Sequence, residues 1–204
     1  MRTILLTCVL AAAVPLAAQM NDEKSDESAT RAATTGLATL RALAEKAPEV
    51  IGMNEKDAGA AQLRPPLRVM FVPLDKLKAY HGEEPFALLL DVKTYFYAVS
   101  VGAEVRSSIT VKNANNTWTA TEFGNQALAK RIAQVRGGAT AAAMLVRIPA
   151  LNLDFVGTES GGKLQLTSLF DVPGTDIRMG NTVDAAHVFA ALVPMAQAHN
   201  GLPT

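Results

Sequence analysis

The stretch YFYAVSVGAEVRSSITVKNANNTWTATEF, residues 95–123, decides the fold. Tyr95, Tyr97, Val99 and Val101 alternate with Phe96, Ala98 and Ser100. After Gly102, Val105, Ser107, Ile109 and Val111 alternate with Arg106, Ser108, Thr110 and Lys112. A two-residue period is the signature of a strand, because successive side chains point to opposite faces. Gly102 and Asn113–Asn116 supply the turns, and Thr117–Phe123 a third strand. The stretch therefore predicts a three-stranded antiparallel meander with one apolar and one polar face.

Working outward, Leu67–Val72 and Phe86–Val92 read as strands. Pro73 opens a short helix over Leu74–Tyr80. Asn125 caps a helix running to Val135, closed by Gly137 and Gly138. Met144–Ile148, Leu151–Val156 and Leu164–Phe170 form a second strand group with a turn at Gly157–Gly162. Gly174–Asn181 reads as a loop, and a last helix spans Val183–Leu192, with Pro194 ending or kinking it. Strand groups joined by hairpins and separated by single helices predict an α+β fold. Its antiparallel sheet is built from two strand groups, meander plus hairpin, with helices packed on one face. The segments VMFVPL (69–74) and LVRIPAL (145–151) form a faint internal echo.

The N-terminus has a different character. MRTILLTCVLAAAVPLAAQ, residues 1–19, carries Arg2, an apolar run from Ile4 to Val14, then Pro15 and small residues. This is the layout of a secretory signal peptide, cut after Ala18, or after Ala13 as the alternative. The apolar run is shorter than the roughly 20 residues a spanning helix needs. The division expected is a signal peptide over 1–18, a mobile N-terminal segment over 19–66, and one α+β domain over 67–204. Asn21–Thr35 has no large apolar residue and reads as a linker. A short amphipathic helix over Gly36–Ala47 follows, with irregular chain over Glu49–Pro66.

Composition narrows the chemistry. Cys8 is the one cysteine and lies in the leader, so the exported chain has no thiol, disulfide or cysteine metal site. Lys+Arg and Asp+Glu are both 19, which gives no electrostatic footprint for nucleic acid. The histidines are His81, His187 and His199, without metal-ligand spacing. Asp184 and His187 share a helix face, where a hydrogen bond between them is the simplest reading. Ser160 lies in GTESGG, which lacks the spacing of a nucleophile elbow. No phosphate-cradling glycine motif occurs, and no cofactor or catalytic set is assigned.

What remains is surface. Arg106, Ser108, Thr110 and Lys112, with Thr117, Thr119 and Thr121 beside them, form polar rows on the meander. Such rows suit an extended peptide, a glycan or a partner's strand. Trp118 reads as a core anchor or a binding aromatic, and is included in this candidate binding set. The expectation is an exported, non-enzymatic domain that binds a protein, peptide or cell-envelope component, in a bacterial periplasm or outside the cell. The alternatives are a periplasmic hydrolase using Ser160 or a carboxylate with His187, and a scaffold or chaperone whose N-terminal segment docks a partner. No nucleic acid, and no membrane span after leader removal, is expected.

Overall fold

The computed structural model describes residues 16–136 and 142–200, with side chains from residue 26 onward. Residues 1–15 of the expected signal peptide, and the expected helix stop at Gly137 and Gly138, lie outside the described residues. The fold is α+β, with 39% helix and 35% strand around a mostly antiparallel open sheet.

The meander forms where its alternation places it. Strand β3 covers Leu90–Val101, β4 Glu104–Ala114 and β5 Thr117–Phe123. Asn115 and Asn116 both take positive φ, 52° and 61°, the left-handed pair that a two-residue hairpin turn demands. Strand β2 (Leu67–Phe71) lies beside β3 on the other side. The short β1 (Ala61–Leu63) continues along that same side of β3, separated from β2 by Pro65 and Pro66. The second group is β6 (Met144–Ile148), β7 (Leu153–Ser160) and β8 (Lys163–Ser168), with the three-residue β9 (Thr182–Asp184) on its outer edge. Phe86–Leu88 departs from the expected strand. Pro85 starts a 3-10 turn over Pro85–Leu88, and β3 begins only at Leu90.

The two groups join through β2 and β6, which run parallel. Outward from this pair the chain order is the same on both sides: β3, β4, β5 one way and β7, β8, β9 the other. The sequence echo lies on this join. Val69, Met70 and Phe71 are the direct partners of Leu145, Val146 and Arg147. Pro73 and Pro149 then each introduce a helical turn, α4 (Leu74–Lys78) and a 3-10 turn at Pro149–Leu151. The echoed residues also share faces: Val69 and Leu145 belong to one core cluster, and Val72 and Ile148 to another.

Helices cover both faces of the sheet. Helix α5 (Gln126–Arg136) packs Leu128, Ala129 and Ile132 against Leu67, Val69, Phe96, Leu145 and Val156. Helix α6 (Ala185–Ala198) packs Val188, Phe189 and Leu192 on the opposite face, against Val146, Phe155, Leu164 and Leu166. The expectation of helices on one face therefore holds for α4 and α6 but not for α5. Helix α6 also runs through Pro194. Leu192 and Ala196, fully buried on either side, hold the turn that the missing N–H weakens.

The largest departure is at the N-terminus. Helix α1 spans Leu16–Lys46 and takes in Asn21–Thr35, which read as a linker. Ala29, Ala33, Leu40 and Ala44 are buried against Tyr95, Tyr97, Val99, Ile109 and Val111. Small residues suffice because α1 lies close to the sheet: a Cβ on Gly36 would sit 2.9 Å from the Ala120 Cβ. Two tyrosines hold the polar half. Tyr97 Oη and Thr30 Oγ1 are 3.1 Å apart, and Tyr95 donates to Asp26. The short helices α2 (Pro48–Ile51) and α3 (Glu55–Gly59) then lead to β1, with Arg41 of α1 donating to the Ala58 carbonyl at 3.0 Å. Among the described residues no helix is long and apolar enough to cross a membrane.

Candidate functional site

The candidate binding residues sit on β4 and β5, but helices divide them. Ser108 and Thr110 share the face of Ala98 and Phe96, and α5 lies over it. Both hydroxyl residues are buried, at 1% and 8% exposure. Ser108 Oγ accepts the Asn125 amide at 3.1 Å, just ahead of α5, and Asn125 Oδ1 accepts the Leu128 amide at 3.2 Å as its cap. The polar row is thus largely an internal seam between sheet and helix, not an open face. Short hydroxyl side chains permit this, because backbone and cap groups satisfy them locally.

The charged members stay near the surface. Arg106 pairs with Glu104 at 2.8 Å, and Lys112 with Glu122 at 2.6 Å. Trp118 lies on the other face, half-buried under α1, with its ring 5.2 Å from that of Tyr95. The core reading of Trp118 accounts for its place. Burial pushes the Tyr97 hydroxyl up from its ordinary pKa, against the Thr30 hydrogen bond, so it stays neutral as a partner for Thr30.

What remains open is the outer side of β5. Among the described residues β5 has β4 as its only strand neighbour. Thr117, Thr119, Thr121 and Glu122 are exposed. The β4·β5 register shifts between Thr110 and Val111, leaving Thr121 unpaired as a bulge. The usable ladder is therefore Thr117–Ala120.

The catalytic alternatives are not assembled. Ser160 ends β7 opposite Lys163 in the hairpin. Asp184 accepts the Ala186 amide at 2.9 Å as the cap of α6 and does not serve His187. His187 Nε2 instead meets both carboxylate oxygens of Asp176 at 3.1 Å. That hydrogen bond holds the Asp176 carboxyl below its usual pKa. Glu83 accepts the His81 amide, which lowers its pKa in the same way. Among the described residues no group of three His, Cys, Asp or Glu gathers to hold a metal ion.

Sequence reasoning passed over one ionic cluster, Arg68, Asp91 and Lys93. Asp91 Oδ2 accepts from Arg68 Nη2 at 2.8 Å and from Lys93 Nζ at 2.6 Å, and its Oδ1 accepts the Lys93 amide at 2.8 Å. The signal was absent because these residues meet through an irregular register: Arg68 faces Tyr95, while Met70 faces Asp91. No family model, curated protein or solved structure matches this chain.

Proposed function

We propose that this chain is an exported, non-enzymatic binding module that captures an extended protein segment along β5. Export rests on the layout of residues 1–18. The observation that carries the binding role is the edge itself. Thr117–Ala120 carries backbone donors and acceptors with no strand beyond β5 among the described residues. An added strand gains main-chain hydrogen bonds there, while alternate side chains set specificity. The exposed threonines favour β geometry and offer hydroxyls to a partner strand. The opposite edge, β9, has three residues and is a poorer template. The Thr121 bulge and the Lys112–Glu122 pair limit the docking length, which suits one short strand and discourages open-ended stacking.

The test is to select peptides from a displayed random library on the purified protein and map the winners by amide hydrogen exchange. Slower exchange concentrated in Thr117–Ala120 supports the reading. Selected peptides that leave those amides unchanged, or no selection at all, overturn it.

A further inference from the structure

A second place for a ligand lies in the other half of the molecule, where the segment Tyr80–Pro85 faces the first turns of α6. Ala186, Ala190 and Val193 share one face of α6. With Tyr80, His81 and Gly82 they line a hollow of about 340 Å³. A second hollow, of about 230 Å³, has Glu83, Glu84, Asp184 and Lys163 in its wall. Gly82 and Ala186 belong to both, so the two hollows form one groove with an apolar arm and a charged arm. Small-molecule sites run to roughly 300–1,000 Å³, and the larger arm alone reaches that range.

The charged arm carries three carboxylates and one ammonium. Glu83 Oε2 accepts the His81 amide at 2.8 Å, and Asp184 Oδ1 the Ala186 amide at 2.9 Å, so each keeps a second oxygen. The Asp184 cap also offsets the positive end of α6. Lys163 is exposed on the rim and forms no ion pair among the described residues. An independent feature points into the same groove. Tyr80 is 4% exposed and meets the Phe189 ring edge-on, and its hydroxyl is buried with no hydrogen-bond partner among the described residues. A buried hydroxyl left unpaired is costly. The field of the carboxylates reaches it: burial raises the Tyr80 pKa most, and Glu83, Asp184 and Glu84 raise it further. Among the described residues no carboxylates gather closely enough to hold a metal ion, which leaves an organic cation.

We infer that the groove binds a free primary alkylammonium, whose cationic head lies among Glu83, Glu84 and Asp184 and donates to Tyr80 Oη, and whose alkyl chain lies along Ala186, Ala190 and Val193. An ammonium has three donors and no acceptor, which matches unused carboxylate oxygens and an unpaired hydroxyl. Three carboxylates against one ammonium favour a cation over an anion or a neutral head. The hollows are far smaller than a macromolecular contact, which takes roughly 800 Å² on each partner, so the occupant is a small molecule. This site is separate from the β5 edge, and either assignment stands without the other.

The experiment titrates the purified protein with hexylammonium and follows the backbone amides by NMR, with hexanol, hexanoate and a Gly-Lys-Gly peptide blocked at both ends as comparison arms. The amides of Gly82, Glu84, Ala186 and Ala190 shift saturably with hexylammonium. Hexanol binds about tenfold more weakly, and hexanoate moves none of them. Tyr80→Phe weakens hexylammonium about fivefold, while its urea midpoint is unchanged or higher, because an unpaired hydroxyl is removed. Glu84→Gln weakens binding about threefold, and Lys163→Gln tightens it about threefold. Unmoved amides, equal binding of hexanol, or weaker binding in Lys163→Gln overturns the inference. So does unchanged affinity in a folded Tyr80→Phe, which means that water alone serves the hydroxyl. Tighter binding of the lysine peptide than of hexylammonium overturns the assignment to a free amine. If Tyr80→Phe fails to fold, the opposite signs of Glu84→Gln and Lys163→Gln, both on the exposed rim, decide.

Discussion

The halves on either side of the β2·β6 join share one layout and differ in cover. In the first, β3 and β4 are roofed on both faces, by α1 and by α5. Their middles are continuously buried as a result, and the hydroxyls of Ser107, Ser108 and Thr110 are inside. In the second, α6 roofs one face, while the other bears a polar row: Arg147 paired with Asp154 at 2.7 Å, and Thr167 with Thr182 at 2.8 Å. Alternation identified which residues share a face in both halves. It did not identify which face a helix covers, because serine and threonine are tolerated on either side of that boundary.

Removing a roof breaks the comparison most strongly. Phe189 of α6 is fully buried and meets the Tyr80 ring edge-on at 5.8 Å. Phe189→Ala is expected to cost about 4 kcal/mol in urea unfolding. The equivalent probe of the extra roof is Leu40→Ala in α1. Leu40 is fully buried, so the expected loss is about 3 kcal/mol. A loss below about 0.5 kcal/mol, the range of ordinary surface substitutions, means that α1 is not part of the cooperative unit.

Two adjacent serines sharpen the same contrast with opposite signs. Ser108→Ala removes the acceptor for the Asn125 amide and is expected to cost about 1 kcal/mol. The Ser107 hydroxyl is buried without a partner among the described residues. Ser107→Ala is expected to be neutral or stabilising by up to about 1 kcal/mol in the same assay. Equal losses in both variants would show that the two faces of β4 are not distinguished by α5.

Acid titration probes the join. Burial alone would raise the Asp91 pKa, but the hydrogen bonds from Arg68 and Lys93 outweigh it and hold it low. A lowered carboxyl stabilises the fold above its unfolded value, about 3.9, and that stabilisation fades as pH falls through the lower folded value. The stability gap between the parent protein and Asp91→Asn should therefore narrow below about pH 4. The smallest effect is at the exposed edge, where Glu122→Ala breaks the Lys112 pair and should stay within about 0.5 kcal/mol.

Much of the fold was legible because it is local. The period-two run from Tyr95 to Phe123, Asn125 as a cap and Pro73 at a helix start each depend on neighbours in the chain. The α1 roof was not legible, since Ala29 and Ala33 are anchored by tyrosines far along the sequence. The same holds for the ionic cluster: nothing in the sequence around Lys93 announces that β3 loops out between Asp91 and Tyr95. The candidate surface on Ser108 and Thr110 was misplaced for the opposite reason, as the pattern was read correctly and the cover was not foreseen.

The central parallel pair also sets an order of events. The hairpins β3–β4–β5 and β6–β7–β8 close short loops and pay little chain entropy to form. The pairing of Arg68 with Met144 must close the longest loop in the sheet and is rewarded only once both hairpins exist. Refolding is thus expected to be limited by the docking of two preformed halves. Substitutions at Val69 or Leu145 should slow folding, whereas those at the hairpin tips should mainly hasten unfolding.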